Sequence, residues 1–220
     1  MTLKIDLHVH TCYSEDCATT LGDVILHARN RGLDGVAIAD HDTVEGALEL
    51  VKNRTNLIVI PGIEVSTKQG HILGLNVTVP IARQLDVKET IEQIHSAGGI
   101  AVAAHPSAVF KNGMMGMGFG RKFSSYGFDA VEVVNSSCFP FWLNGLSRRF
   151  AVRMGLPQTA GSDSHLPETI GLAYTLIEDT EADRNAQDVI RAIKKGMTVP
   201  YGKPTPWRLR LRQLTGKGKR

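Results

Sequence analysis

The stretch LKIDLHVHT, residues Leu3–Thr11, predicts the first strand of the chain. Apolar and polar residues alternate along it, in the order Ile5, Asp6, Leu7, His8, Val9 and His10. A period of two is typical of a strand with one apolar and one polar face, which puts both imidazoles on the same side. Residues two apart on a strand are separated by about 6.6 Å, which lets two side chains hold one metal ion. The pattern predicts either half of a metal site or two histidines packed on an edge strand.

The composition is that of an ordinary globular protein. The 220 residues are 42% hydrophobic and 21% charged, enough for one large α/β domain or two small ones. No apolar run reaches the roughly 18 residues of a membrane helix, and the motif at Asp6 begins too early to leave room for a signal peptide. The three scattered cysteines, Cys12, Cys17 and Cys138, argue against a disulfide framework and are expected to be inert. We therefore expect a cytoplasmic protein with no membrane partner.

Positive charge is concentrated at the C-terminal end. Residues 203–220 contain no acid and seven bases, which are Lys203, Arg208, Arg210, Arg212, Lys217, Lys219 and Arg220. Of the 25 basic and 22 acidic residues in the chain, 18 bases and all 22 acids therefore lie before residue 203, a balance of about −4. We predict a domain over residues 1–202 and a basic tail over 203–220. The tail is either a solvated terminus, a nucleic-acid contact, or a strand or helix over 207–214 packed on the body. The acidic body argues against a broad nucleic-acid groove.

Strands and helices alternate along the chain. Short apolar runs such as residues 35–39 and 100–104 are typical of buried strands, and segments with helical spacing, such as residues 21–31, lie between them. About seven such units predict a mostly parallel sheet with right-handed crossovers. Because no glycine-rich dinucleotide fingerprint follows the first strand, a barrel is favoured over a doubly wound sheet.

Residues of the types that bind metal ions stand at the carboxyl ends of most of the expected strands. In parallel α/β folds the functional groups gather at these ends. Five of the eight histidines are among them, and the set is His8, His10, Asp40, His41, Asp42, Glu64, His105, Asn135, Asp163 and His165. This number of imidazoles and carboxylates exceeds what one ion uses. The pattern therefore predicts a cluster of two or three divalent metal ions that share a carboxylate.

These segments, in this order, resemble the polymerase and histidinol phosphatase (PHP) superfamily. The resemblance covers residues 3–178 and rests on five motifs: DLHVHT (6–11), DHDT (40–43), PGIEVS (61–66), AHP (104–106) and GSDSH (161–165). It implies an α/β fold, a distorted seven-stranded (β/α)7 TIM-like barrel with the metal site at the C-terminal ends of the strands. It also implies phosphoester hydrolysis.

The resemblance further implies a set of metal ligands. One ion is assigned to His8, His10, Glu64 and Asp163. Glu64 bridges to a second ion that His105 also holds. A third ion is assigned to His41, His165 and an acid from the loop after the first strand. For that acid the resemblance favours Asp16 over Glu15.

The chain departs from the family pattern at one strand end. Where several members carry His or Cys it has Asn135, with Cys138 three residues later. An amide oxygen is a weak ligand for zinc-like ions, so the expected centre holds two or three ions of Zn, Mn or Fe. His71, one hairpin away from Glu64, either faces the site or packs within its strand, and it is left out of the ligand set.

Other residues are candidates for orienting the ligands or the substrate. Three aspartates are expected to hold ligating imidazoles by hydrogen bonds, namely Asp6, Asp40 and Asp42. Asp42 fits a helix N-cap equally well. The glycine-rich segment 110–128 is either a plain surface loop or a mobile lid whose Arg121 and Lys122 contact phosphate.

The sequence predicts a metal-dependent phosphoesterase that acts on a small phosphorylated metabolite or nucleotide. A metal-bound hydroxide is the expected nucleophile, since bound ions lower the pKa of water from about 15.7 toward 7 and no dedicated protein base is then required. One alternative is a metal-dependent nuclease or nucleic-acid-processing module, which the basic tail favours. Another is a catalytically inactive structural barrel.

Overall fold

The structure, a computed structural model, describes residues 2–53, 55–108, 125–178 and 184–215, which contain nine strands and six α-helices. The strands are β1 (Thr2–Val9), β2 (Gly35–Ile38), β3 (Ile58–Thr67), β4 (Gly70–Leu75), β5 (Ile100–Ala103), β6 (Ala130–Asn135), β7 (Gln158–Gly161), β8 (Ala173–Glu178) and β9 (Thr198–Gly202). The helices are α1 (Leu21–Asn30), α2 (Glu45–Lys52), α3 (Val87–Ser96), α4 (Asn144–Met154), α5 (Ala186–Lys194) and α6 (Trp207–Leu214). The expected phosphate contacts, Arg121 and Lys122, lie outside the described residues.

The strands form one sheet in the order β7-β6-β5-β4-β3-β2-β1-β8-β9, and the chain after β7 returns to β1. At this point the His10 N–H donates to the Ser164 carbonyl at 3.1 Å, and the Asp163 N–H donates to the His8 carbonyl at 2.8 Å. One edge of β1 therefore has two partners. Its residues 2–5 pair with β8, and its carboxyl end pairs with the chain after β7. The sheet is therefore barrel-shaped and nearly closed, as predicted, but it has nine strands rather than seven.

The sheet is mixed rather than mostly parallel. β1, β2 and β3 are parallel, as are β5, β6 and β7, but β4, β8 and β9 run antiparallel to their neighbours. The turn at Lys68 and Gln69 between β3 and β4 is too short for the crossover that a parallel pair needs. The sequence pattern does not predict β9, because this strand contains Pro200 and lacks a continuous apolar run.

One buried apolar cluster collects side chains from strands all around the sheet. It includes Leu3, Ala37, Ile60, Leu73, Val102, Ala130 and Ile177. Helix α5 adds Val189 and Ile193. Side chains from so many strands meet only inside a barrel, and each large aliphatic side chain buried there contributes about 1.5–3 kcal/mol. This core fixes the strands whose carboxyl ends carry the predicted ligands.

Capping residues set where several helices begin. Thr20 accepts from the Asp23 N–H to form a capping box at α1. Helix α2 instead begins at Glu45 with Val44 at the N-cap position and no side-chain cap. The interpretation of Asp42 as a helix N-cap is therefore wrong, because the chain is still in the turn before the helix at that residue.

The segment after residue 202 packs on the barrel as far as it is described. The Lys203 N–H donates to the Leu172 carbonyl and the Thr205 N–H to the Ser136 carbonyl, each at 2.9 Å. Residues 207–214 then form α6, so of the alternatives for this stretch the structure has a helix packed on the body. The division into a domain over 1–202 and a tail over 203–220 stays a prediction.

The described residues contain no helix that is long and apolar enough to cross a membrane.

The three cysteines are free thiols. Burial raises the pKa of Cys17 and of Cys138 to about 11, which keeps both thiols protonated at neutral pH and agrees with the expectation that they are unreactive.

Candidate metal centre

Four side chains converge at the mouth of the barrel, where the carboxyl ends of the parallel strands lie. They are His8, His10, Glu64 and Asp163, and all four are buried. Glu64 Oε2 lies 3.4 Å from His8 Nε2 and 3.3 Å from His10 Nε2. Asp163 Oδ1 lies 3.7 and 3.3 Å from the same two nitrogens. The structure brings together the set that the resemblance assigns to one ion.

The other ring nitrogen of each histidine is held by an acceptor. His8 Nδ1 lies 3.0 Å from Glu132 Oε1 and donates its N–H to this carboxylate. His10 Nδ1 lies 3.2 Å from Ser14 Oγ, and Ser14 Oγ donates its one proton to Asp40 Oδ1 at 2.9 Å, so it accepts from His10. In both rings Nε2 is the nitrogen left to bind a metal, which is how outer partners orient ligating imidazoles.

The spacing of these atoms fits a metal ion. His8 Nε2 and His10 Nε2 are 3.1 Å apart, so without a cation or a proton between them two lone pairs would repel. Ligands at 2.0–2.1 Å on neighbouring corners of a tetrahedron are about 3.3 Å apart, close to most of the distances in this set. An imidazole and carboxylate donor set suits Zn, Mn or Fe.

The second carboxylate oxygen of Glu64 faces different histidines. Glu64 Oε1 lies 2.9 Å from His105 Nε2 and 3.2 Å from His71 Nδ1. Because Oε2 belongs to the His8 and His10 set, one carboxylate touches two groups of nitrogens. This is the geometry that a carboxylate shared between two ions requires.

A third group lies at the exposed side of the centre. Asp16 Oδ2 is 3.1 Å from His165 Nε2 and 3.7 Å from His41 Nε2. His41 Nδ1 lies 3.1 Å from Glu64 Oε2, which joins this group to the buried one. Asp16 is 43% exposed, so the centre opens to solvent here. Of the two acids in the loop after β1, the structure thus brings Asp16 to the histidines.

The charges of the centre are strongly coupled. Although burial works against ionisation, the nearby imidazoles hold the pKa of Glu64 and of Asp163 well below the usual range of a carboxyl. Burial by itself also lowers the pKa of His10, but hydrogen bonds to Asp163 and Glu64 outweigh it and raise the pKa to about 9. For His41 burial prevails and lowers the pKa to about 4. The carboxylates therefore stay ionised and require positive charge from protons or from a metal ion.

Asp40 acts on two of the histidines through Ser14. Its carboxylate accepts from the Thr11 N–H at 2.6 Å and from Ser14 Oγ, and Ser14 Oγ in turn accepts from the His41 N–H at 3.0 Å and faces His10. The expected orienting role of Asp40 is thus exerted through a hydroxyl group rather than by direct contact with a ring.

Asp6 and Asp42 hold backbone rather than imidazoles, which corrects the expectation for both. Asp6 accepts from the Ser162 N–H at 2.9 Å and the Gly171 N–H at 2.8 Å. Burial outweighs these bonds and raises the pKa of Asp6 to about 6. Asp42 accepts from the Ser66 N–H at 2.8 Å. Both carboxylates accept hydrogen bonds from backbone N–H groups, which need an acceptor when the chain around them is folded away from water.

Two family models match the chain. The model of the PHP domain matches residues 6–131, and a model described as PHP-associated matches residues 141–198. The first alone spans more than half of the chain. The chain belongs to the PHP family. Among relatives of this PHP protein, an uncharacterized protein of Methanocaldococcus jannaschii is 32% identical over 146 residues, covering 61% of this chain and 82% of the relative.

Two named enzymes match shorter segments of the PHP chain. A phosphoribosyl 1,2-cyclic phosphate 1,2-diphosphodiesterase of Eggerthella lenta is 39% identical over 80 residues, 33% of this chain and 30% of the enzyme. The 5'-3' exoribonuclease Rnm of Escherichia coli is 35% identical over 83 residues, 34% of this chain and 28% of the enzyme.

The fold of this PHP chain matches a solved structure over nearly its whole length. A two-domain protein of Bacteroides vulgatus, described as containing a predicted PHP-like metal-dependent phosphoesterase, aligns with a TM-score of 0.76 at 18% identity. The alignment covers 99% of this chain and 70% of that protein.

Sequence reasoning missed Glu132 and left the role of His71 open. Glu132 is buried on β6 between Val131 and Val133, and a lone carboxylate in an apolar strand was the available signal. His71 was left out of the ligand set, although a hairpin closing at residues 67 and 70 places it on the same face as Glu64. For both residues, the strand register decides that the side chain faces the centre.

Asn135 organises the centre through hydrogen bonds. Its Nδ2 donates to Glu132 Oε2 at 3.0 Å and to Asp163 Oδ2 at 3.3 Å. Its Oδ1 accepts from the backbone N–H groups of Ser137 at 2.8 Å and Cys138 at 3.0 Å. The amide oxygen is therefore already engaged by two donors, which opposes its use as a metal ligand.

Proposed function

We propose that this PHP protein is a metal-dependent phosphoric ester hydrolase that acts on a small phosphorylated metabolite or nucleotide. The observation that carries the proposal is the convergence of four atoms, His8 Nε2, His10 Nε2, Glu64 Oε2 and Asp163 Oδ1. The two nitrogens lie 3.1 Å from each other and 3.3–3.7 Å from the two oxygens. Membership of the PHP family supports it.

The proposed ligands are the eight residues expected from the resemblance, and His71 is added from its contact with Glu64. The set is His8, His10, Asp16, His41, Glu64, His71, His105, Asp163 and His165. When bound, two or three Zn, Mn or Fe ions would act as Lewis acids on a phosphoryl oxygen and lower the pKa of a water molecule.

The protein itself holds the ligand side chains in position before a substrate binds. Glu132 and Ser14 orient the rings of His8 and His10, so no reorientation is needed on binding. Glu64 and Asp163 remain ionised because their pKa values are low, which keeps both carboxylates able to bind a cation. The partly exposed Asp16 lies at the open side, where a phosphate ester would enter. Arg121 and Lys122 remain candidates for contacts with its phosphate.

The relatives support the same class of chemistry. Two that match over about a third of this chain are named as a cyclic phosphate diphosphodiesterase and an exoribonuclease. The exoribonuclease favours a second candidate, hydrolysis at the end of a nucleic acid. The small substrate is preferred because the body of the chain up to residue 202 carries net negative charge.

The test is a screen for phosphate release with added Mn²⁺ or Zn²⁺. The substrates are sugar phosphates, nucleoside monophosphates, 3′,5′-bisphosphonucleotides, histidinol phosphate and short oligonucleotides. We expect hydrolysis of a small ester, a loss of at least about 100-fold in Glu64→Ala because a shared ligand is removed, and no loss in Glu92→Ala, which alters an exposed acid on α3. Wild-type activity in Glu64→Ala would contradict the proposal. Hydrolysis confined to oligonucleotides would favour the second candidate.

A further inference from the structure

The C-terminal helix holds the two loops that follow β6 and β7. Arg210 Nη1 donates to the Ser137 carbonyl at 2.9 Å, and its guanidinium stacks 4.9 Å above the ring of Phe139. Arg212 donates through both terminal nitrogens to Glu168, at 2.8 and 3.0 Å. We call residues 203–215 the C-terminal clasp.

The clasp reaches the metal centre through Ser137. Ser137 Oγ donates to the Asp163 carbonyl at 2.9 Å, and the same turn carries Asn135, whose amide donates to the Asp163 carboxylate at 3.3 Å. The Thr205 N–H adds a further bond to the Ser136 carbonyl at 2.9 Å. The turn that positions Asp163 is therefore itself held from outside by the clasp.

Asp163 is a residue that needs such support. Its backbone has a φ of +52°, in the left-handed region that non-glycine residues seldom adopt. A conformation of this kind persists only where the surroundings over-determine it. On the far side of the same loop, Glu168 follows His165 by three residues and is fixed by the two-pronged bond from Arg212. The loop with Asp163 and His165 is thus held on both sides.

We propose that Arg210 is a positioning residue for the metal centre, which it acts on through Ser137 and Asp163, and that Arg212 supports the same loop through Glu168. This inference rests on the proposed function, because it assigns the clasp a role in metal binding. Arg210 and Arg212 then serve the centre instead of belonging to a solvated terminus.

The test is calorimetric titration of chelator-treated, full-length protein with Mn²⁺, together with the melting temperature of the metal-free protein. We expect Arg210→Met to weaken Mn²⁺ binding by about tenfold or more, the usual effect of removing a partner that orients a ligand. The matched control is Arg208→Met, which alters an exposed arginine on the same helix and should bind Mn²⁺ as the wild type does. A purely structural clasp would lower the melting temperature of Arg210→Met with unchanged affinity, and that result overturns the proposal.

A second variant keeps the proposal testable if Arg210→Met does not fold. Ser137→Ala removes only the hydroxyl that bonds to Asp163, and it should weaken Mn²⁺ binding to a similar extent. Wild-type affinity in Ser137→Ala overturns the inference, as does a wild-type protein that binds no Mn²⁺. A wild-type protein that binds Mn²⁺ but hydrolyses no phosphate ester refutes the proposed function alone, since the titration needs no substrate.

Discussion

The buried carboxylate of Glu132 connects three separate parts of the centre. Its Oε1 accepts from His8 Nδ1, and its Oε2 accepts from the His105 N–H at 2.8 Å and from Asn135 Nδ2 at 3.0 Å. A carboxylate can remain buried only when several donors compensate for the lost water, and here they come from three segments. Glu132 therefore sets the orientation of His8 and the position of His105.

Replacing Glu132 by Gln should weaken metal binding by about 10–100-fold. Glutamine has one oxygen acceptor where glutamate has two, and its NH2 group cannot accept a hydrogen bond. Either one of the three donors, His8 Nδ1, the His105 N–H and Asn135 Nδ2, loses its acceptor, or the His8 ring changes its tautomer. Titration with Mn²⁺ measures the effect, and Glu92→Gln on the exposed face of α3 is the control. Equal affinities of Glu132→Gln and the wild type would contradict the role given to Glu132.

Most residues of the centre can be predicted from the sequence because strand ends carry them in recognisable motifs. His71 and Glu132 could not be placed in the same way, because each depends on which face of a strand its side chain occupies, and that is decided by register. Asp6 lies between apolar neighbours like an orienting residue, yet it binds amides brought from Ser162 and Gly171. These partners lie about 160 residues away along the chain, so the contact depends on the fold and the sequence around Asp6 does not indicate it.

At the scale of elements, the closure between β1 and β7 determines whether the centre can form. The backbones approach closely there, since a Cβ added at Gly161 would lie 2.3 Å from His8 Cβ and 2.8 Å from His8 N. Distances this short cannot be relieved by a side-chain rotation. A glycine at the end of β7 is thus required for β1 to meet the loop with Asp163.

Gly161→Ala should lower the free energy of unfolding by about 1–3 kcal/mol or more, because the strands must separate to accept the methyl group. Urea unfolding of the metal-free protein measures this change. Gly145→Ala is the matched control, because nothing lies within 4 Å of a Cβ at this helical position and the substitution should add about 0.5–1 kcal/mol. Similar stability of the two variants would show that the closure tolerates a wider spacing.

The alternation of strands and helices predicts the barrel, whereas strand direction was partly mispredicted. The helices α1, α3 and α5 begin at capping boxes that are visible in the sequence. β9 escapes prediction because its residues alternate between partly buried and exposed positions and include Pro200, so its position depends on pairing with β8.

For the whole molecule, metal ions and protons compete for the same sites. The pKa of His10 is raised from 6.5 to about 9, so its stabilising contribution in metal-free protein is complete below about pH 6.5 and is lost as the pH rises to 9. A shift of this size corresponds to roughly 3 kcal/mol. His8, whose pKa is also raised, acts in the same direction.

The increase in melting temperature on adding Mn²⁺ to chelator-treated protein should therefore be larger at pH 8.5 than at pH 6.5, by about 5 °C or more. At the lower pH the ion must displace protons that already neutralise the carboxylates, and at the higher pH these protons are leaving. Thermal unfolding at both values, with and without metal, measures the difference. An increase that is the same at both values, or larger at pH 6.5, would contradict this coupling.

The sharing of β1 between two partners has a consequence for how the protein is made. Residues 2–5 of β1 pair with β8, and the end of β1 meets residues 163 and 164 after β7. His8 and His10 are translated about 150 residues before their partner Asp163. A nascent chain therefore cannot complete the buried site, and metal loading must follow late in synthesis or after release.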